Sequence, residues 1–82
     1  MSKADEMFKE LEYEKNPFID NKDCEYTKYI KDKCFEKIID ISSNKKEIWC
    51  ALHRDGEYLD TAITFEELQA INQKCKELGW IE

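Results

Sequence analysis

Apolar residues recur at helical spacing near both ends of the chain and alternate with polar residues in between. The N-terminal stripe consists of Ala4, Met7, Phe8 and Leu11. The C-terminal stripe consists of Leu68, Ile71, Cys75 and Leu78. These patterns predict helices over residues 3–12 and 65–78. Each helix has one apolar stripe, so each must pack against another element to be stable.

Both predicted helices have recognisable end signals. Ser2 can cap the first helix, because its hydroxyl accepts a hydrogen bond from an unpaired backbone N–H of the first turn. Thr64 and Glu67 form a capping box at the start of the second helix. Gly79 follows the last turn of that helix, where a Schellman-type end needs a residue with positive φ.

The segments between the helices have a period of two and many β-branched and aromatic residues. Strands are predicted over residues 24–30, 34–41, 46–53 and 57–63. A linker over residues 13–23 contains Pro17, and Lys31-Asp32-Lys33 is predicted to form a turn. Together these elements predict an α+β fold in which a four-stranded antiparallel meander carries the N-terminal and C-terminal helices on one face, within a single domain of residues 1–82.

Asp55-Gly56 is the clearest turn signal in the chain. A type I′ hairpin turn needs positive φ at both central residues, which Gly adopts freely and Asp tolerates. The predicted register is Arg54 opposite Glu57, His53 opposite Tyr58, Leu52 opposite Leu59, Cys50 opposite Thr61, Trp49 opposite Ala62, and Ile48 opposite Ile63. The predicted core face holds Ile48, Cys50, Leu52, Leu59 and Ile63. The other face is mixed and includes Trp49, His53 and Tyr58.

The charge pattern limits the kinds of partner. The chain of 82 residues has a net charge of -6, with Lys interleaved among the carboxylates in both halves. No basic stripe is present that could neutralise phosphates, so direct nucleic-acid binding is not expected. No membrane association is expected either, because no run of 18 apolar residues and no basic-then-apolar leader occurs. We expect a cytoplasmic protein whose partner is another protein, and a basic one would suit the charge.

Two short motifs suggest chemistry but have simpler explanations. His53-Arg54-Asp55 matches letters of the protein-kinase catalytic loop, yet the Asp-Gly turn accounts for the same residues, and the nucleotide-binding parts are missing. Cys50 and His53 form a Cys-x-x-His pair, but residues three apart on a strand point to opposite faces. We therefore expect no catalytic residue, no metal ligand and no cofactor.

The alternatives for the cysteines stay open at this stage. A zinc site would need Cys50 and His53 together with two of the remaining cysteines, which are Cys24, Cys34 and Cys75. A thiol nucleophile would need Cys24 or Cys34 close to His53, the only histidine. Reduced thiols that pack as small apolar side chains are the simpler expectation, since nothing in the sequence indicates an oxidising compartment.

The mixed face of the sheet is the predicted partner surface. It is assigned to Trp49, His53, Arg54 and Tyr58, together with Ile38, because aromatic residues and arginine are enriched at the centres of interfaces. The alternative is that Trp49 only shields backbone hydrogen bonds on a solvated sheet. A homodimer through this face is one form of the prediction.

Three stretches resemble small proteins of unknown function that recur in phages and prophages of Gram-positive bacteria. These stretches are SKADEMFKEL at the start, KCFEKIID in the middle and ITFEELQAINQKCKELGWIE at the end. The chain departs from that pattern at Glu12, where the family tends to have Gly after the first helix. The resemblance implies a phage-encoded accessory protein in a bacterial cytoplasm. For such a protein we expect the partner to be a host or phage protein. It implies no assigned activity and no site residues.

Two functions are therefore expected as alternatives. The first is a non-enzymatic protein-protein interaction module that uses the mixed face. The second is an acidic inhibitor of a host nucleic-acid-binding defence protein, of the anti-CRISPR or anti-restriction type, which would mimic phosphates. The second needs clustered carboxylates, and in the sequence Lys residues separate them.

Overall fold

A computed structural model describes residues 2–17, 23–30, 34–43 and 45–81 of the chain. In chain order its elements are α1 (Lys3–Glu10), β1 (Glu14–Lys15), β2 (Cys24–Ile30), β3 (Phe35–Ser42), β4 (Glu47–Arg54), β5 (Glu57–Leu59) and α2 (Phe65–Glu77). The strands form one antiparallel sheet in the order β1-β2-β3-β4-β5. The α+β class is confirmed, but the sheet has five strands rather than four. Linker residues 18–22 and the predicted turn at 31–33 lie outside the described residues.

Both predicted helix starts are present. The Ser2 hydroxyl accepts the backbone N–H of Asp5 at 2.9 Å. In α2, the Thr64 hydroxyl accepts the N–H of Glu67 at 3.1 Å, and the Glu67 carboxylate accepts the N–H of Thr64 at 3.0 Å. Gly79 has φ 79°, and the Trp80 N–H reaches back to a carbonyl in the last turn. No helix among the described residues is long and apolar enough to cross a membrane.

The end of α1 falls at Glu10, two residues before the predicted end. Glu12 has a φ of 71°, in the left-handed region. The N–H of Tyr13 donates to the carbonyl of Phe8 at 3.0 Å, which is the long hydrogen bond of a Schellman motif. A left-handed stop is therefore formed here by a glutamate.

The extra strand, β1, was assigned to the linker by the sequence pattern. Glu14 pairs with Thr27 and Lys15 pairs with Tyr26, at the outer edge of β2. Two residues are too few to show the alternation of a strand. Their pairing also depends on β2, which begins about ten residues further along the chain. The sequence pattern therefore has no local signal for β1.

The opposite edge strand, β5, is shorter than predicted and ends at Leu59 rather than residue 63. The hairpin register is confirmed for the three pairs nearest the turn, which are Arg54–Glu57, His53–Tyr58 and Leu52–Leu59. The pairs predicted beyond them are not formed: Cys50–Thr61, Trp49–Ala62 and Ile48–Ile63. After Leu59 the chain turns inward towards the start of α2, and the Ala62 carbonyl accepts the Lys37 ammonium at 2.8 Å.

Both helices pack on one face of the sheet, which we call the helix face. Alternation along the paired strands assigns it Cys24, Tyr26, Lys28, Lys37, Ile39, Ile41, Ile48, Cys50, Leu52 and Leu59. The core beneath the helices joins these strands to α1 through Phe8 and to α2 through Ala70, Ile71 and Cys75. The Phe8 ring stacks on the Tyr26 ring with centroids 3.9 Å apart.

The buried side of α2 differs from the predicted stripe at its first turn. Leu68 was expected in the core but is 52% exposed, whereas Glu67 is buried. Ile48 on β4 is 41% exposed, and Leu59 at the end of β5 and Ile63 beyond it are also exposed, although all three were assigned to the core face. The helices therefore leave the β4–β5 end of the helix face partly uncovered.

A buried ion-pair network explains why Glu67 replaces Leu68 in the interior. Its carboxylate accepts the Lys37 ammonium at 2.7 Å and the Tyr13 hydroxyl at 2.6 Å. The Lys28 ammonium lies 3.9 Å away. Burial by itself raises the pKa of Glu67, but the hydrogen bonds from Lys37, Tyr13 and the Thr64 backbone together hold this pKa below its usual value. The charged carboxylate thus links α2 to β3 and to the segment after α1.

Candidate functional site

The face of the sheet opposite the helices has no helix on it among the described residues, and we call it the open face. It consists of Glu14, Glu25, Thr27, Tyr29, Glu36, Ile38, Asp40, Ser42, Glu47, Trp49, Ala51, His53 and Tyr58. The register aligns these residues in rows that run across the strands. One row is Glu25, Asp40 and Trp49, and another is Tyr29, Glu36, His53 and Tyr58.

An aromatic cluster lies at the β4–β5 side of the open face. The Trp49 and Tyr58 rings meet edge to face, with centroids 5.1 Å apart, and the His53 ring lies 4.8 Å from that of Tyr58. Trp49 is 46% exposed and Tyr58 is 58% exposed. Rings in this geometry attract one another while still presenting apolar area to solvent. Three of the predicted surface residues are therefore brought together.

The middle of the open face is a small apolar floor. Ile38 and Ala51 are paired across β3 and β4, and both are buried. The row with Trp49 lies on one side of this pair, and the row with His53 lies on the other. Because both side chains are buried, Ile38 is not part of an exposed surface as predicted, and the apolar area open to a partner comes from Trp49 and Tyr58.

The strands sort their charges by face. The open face carries the carboxylates of Glu14, Glu25, Glu36, Asp40 and Glu47, and among its described strand residues there is no Lys or Arg. The strand lysines Lys15, Lys28 and Lys37 all alternate onto the helix face. Lys45 and Lys46 lie beyond the strand ends, in the turn between β3 and β4. Residues that alternate in sequence are thus separated in space by the pleat of the sheet.

The pKa of Asp40 is affected by this concentration of negative charge. Burial raises its pKa above the usual aspartate value, and the nearby carboxylates of Glu25 and Asp23 raise it further. A cation placed beside Asp40 would relieve this repulsion, because an opposite charge favours the ionised carboxylate. The open face is therefore suited to a positively charged partner.

Arg54 does not belong to this cluster. It follows His53 on β4, so its side chain leaves the sheet on the opposite face. Its guanidinium carbon lies 5.2 Å from the centre of the Phe35 ring, a cation–π arrangement. The structure thus brings Trp49, His53 and Tyr58 together and places Arg54 elsewhere.

The motifs that suggested chemistry are separated by the same alternation. Cys50 pairs with Ile39 on the helix face, where burial raises the pKa of its thiol, whereas His53 lies on the open face. Among the described residues, no group of three or more His, Cys, Asp or Glu side chains is arranged to hold a metal ion. Asp55 and Gly56 have φ values of 50° and 82°, as a type I′ turn requires.

The concentration of carboxylates on the open face was not identified from the sequence. Apart from Ile38, only residues of β4 and β5 were assigned to a face there, although the same alternation extends through CEYTKYI and FEKIIDI. Pairing β2 and β3 in register would have placed Glu25 beside Asp40 and Tyr29 beside Glu36. The signal was therefore present, but it needs the register of two hairpins at once.

No protein family model, curated protein or solved structure matches this chain.

Proposed function

We propose that the chain is a small non-enzymatic interaction module that binds a basic surface of another protein through the open face. The observation that carries the proposal is the combination of an exposed Trp49–Tyr58 pair with five carboxylates, on a sheet face that carries no helix in the described part of the chain. An approaching lysine or arginine gains charge attraction from Asp40 and a cation–π contact with Trp49.

The setting proposed for this module follows the sequence resemblance. It is a phage-encoded or prophage-encoded accessory protein that acts in the cytoplasm of a bacterial host, on a host or phage protein. Its own homodimer is a weaker form of the proposal, since two copies would bring two acidic faces together.

The test uses capture from bacterial lysate, followed by affinity measurement with the purified partner. Trp49→Ser is expected to weaken binding by about 30-fold or more, because truncation of an aromatic interface anchor typically costs about 2 kcal/mol or more. Tyr58→Ala is expected to act in the same direction. Phe65→Ser is the matched control, because Phe65 is a 68% exposed aromatic residue at the start of α2 and lies outside the open face.

Circular dichroism of each variant checks that the fold is retained. Capture of the same partner with unchanged affinity by Trp49→Ser and Tyr58→Ala would remove the basis of the proposal. A change of oligomeric state in these variants, with no loss of a heterologous partner, would favour the homodimer instead.

A second candidate function is an acidic inhibitor that occupies the nucleic-acid site of a host defence protein. One observation favours it: the lysines that separate the carboxylates in sequence lie on the other face of the sheet. Under this candidate, binding depends on charge, so raising salt to about 0.5 M should abolish it. Asp40→Asn should then weaken binding more than Trp49→Ser. Binding that weakens with salt but persists at about 0.5 M, and that depends more on Trp49 than on Asp40, favours the first candidate.

A further inference from the structure

One edge of β4 carries hydrogen-bonding groups that the described chain does not use. In a two-residue type I′ hairpin, Arg54 and Glu57 form the hydrogen-bonded pair next to the turn. Alternation then directs the N–H and C=O groups of Leu52, Cys50 and Ile48 away from β3. Leu59 is the partner of Leu52, and β5 ends there.

The strip beside Ile48 and Cys50 is left open by the path of the chain. In the described part of the chain, no turn, loop or cap hydrogen bond reaches the backbone of either residue. The chain after Leu59 crosses inward over the helix face, as the hydrogen bond from Lys37 to the Ala62 carbonyl shows. Glu47, Ile48 and Trp49, which border the strip, are all exposed.

The two sides of this strip differ chemically. On the open face, the residues along the edge are Glu47 and Trp49, with Asp40 next to Trp49 on β3. On the helix face, Ile48 and Leu59 expose apolar area. A strand laid along this edge would therefore meet acidic and aromatic groups on one side and aliphatic groups on the other, with a period of two.

We infer that an extended segment of a basic partner protein binds along this edge as a sixth strand. The inference depends on the proposed function and specifies how the partner binds. The segment alternates Lys or Arg, facing Glu47 and Trp49, with aliphatic residues that face Ile48. Main-chain hydrogen bonds to Ile48 and Cys50 supply sequence-independent affinity, and the alternating side chains supply specificity.

A second copy of the chain is a poorer occupant of the same edge. Pairing two β4 edges continues one sheet into the other, so both open faces would lie on the same side. The carboxylates of Glu47 and Asp40 from both copies would then join one continuous acidic surface, in chains that each have a net charge of -6. Like charges brought together across an interface oppose association.

The test titrates the protein with a defined probe, the N-acetylated and C-amidated peptide Val-Lys-Val-Lys-Val-Lys-Val. Binding is followed by NMR of the protein's backbone amides. The largest shifts and slowest hydrogen exchange are expected at the amides of Ile48 and Cys50. A matched peptide with Glu in place of each Lys should not bind. Two N-methylated versions of the Lys peptide, one methylated on the Val amides and one on the Lys amides, each lack the N–H donors of one peptide edge. The version that lacks the donors facing β4 should bind about tenfold or more weakly than the unmethylated peptide.

A pair of protein variants tests the edge from the other side. Ile48→Pro removes an N–H that points out of the sheet, which an edge strand tolerates. It is expected to reduce affinity for the Lys peptide by about tenfold or more. Ile48→Thr keeps the N–H and the branched side chain, and it should reduce affinity much less. Should Ile48→Pro not fold, the N-methylated peptides decide the question on the unchanged protein.

The outcomes separate the two proposals. If the peptide fails to bind at millimolar concentration, or if Ile48→Pro and both N-methylated peptides bind normally, strand addition is wrong. The open face can still bind its partner in that case. Failure of the Trp49→Ser variant to capture the partner would show that it does. If neither Ile48→Pro nor Trp49→Ser weakens binding of the captured partner, both proposals fail.

Discussion

Replacing Lys37 with Met should destabilise the fold more than any exposed ion-pair substitution. The Lys37 ammonium lies 2.7 Å from the Glu67 carboxylate, and both side chains are almost fully buried. Lys37→Met leaves a buried carboxylate without its main counter-charge. Breaking one partner of a buried pair costs about 3–5 kcal/mol. For 82 residues the total stability is about 4–12 kcal/mol, so the loss is a large share of it.

Urea unfolding followed by tryptophan fluorescence and circular dichroism measures this loss. The midpoint should fall by about 2–3 M, or the variant should be unfolded without urea. Lys15→Met is the matched control, because it removes an ion pair with Asp5 at 3.2 Å that is partly exposed. That change should cost about 1 kcal/mol or less. Equal costs for the two variants would show that the buried network does not hold α2 on the sheet.

The pH dependence gives an independent check on the same network. The folded-state pKa of Glu67 lies below its usual 4.5, so its contribution to stability is present above pH 4.5 and is lost as pH falls further. Glu67→Gln should therefore lower stability at neutral pH and make the decline in acid shallower. An unchanged acid profile would contradict the assigned ion pair.

Three further results are expected. Glu12→Gly should raise stability by about 1 kcal/mol, seen as a higher Tm, because Glu12 has a φ of 71° that glycine adopts without strain. Burial, and then hydrogen bonding to Asp5, raises the pKa of Tyr26 above its usual 10.0, so stability should fall as pH rises beyond 10, and Tyr26→Phe should reduce that fall. Cys34 is exposed and should react quickly with an alkylating reagent, whereas Cys75, buried and with a raised pKa, should react only on unfolding.

The parts of the fold that were predictable are those with local signals. The capping box at Thr64 and Glu67 and the Asp55-Gly56 turn each need only a few neighbouring residues, and both are formed as predicted. The hairpin register near the turn follows from the turn type alone. The length of β5 does not, because it depends on where α2 must begin and on the Lys37 contact with the Ala62 carbonyl.

The residues that were placed wrongly depend on long-range chemistry. Leu68 fits the apolar period of α2 better than Glu67, yet Glu67 is buried because Lys37 and Tyr13 supply its partners from distant segments. The concentration of carboxylates on the open face was missed for a related reason. Glu25 and Asp40 become neighbours only when β2 and β3 are paired in register.

The most direct test is to add the captured partner to this chain and to map the chemical-shift changes of the chain's backbone amides by NMR. Chemical-shift changes are expected to concentrate on the open face and its β4 edge, at Asp40, Ile48, Trp49 and Tyr58. Shifts confined to the exposed apolar start of α2, around Phe65, with an undisturbed β4, would contradict this expectation.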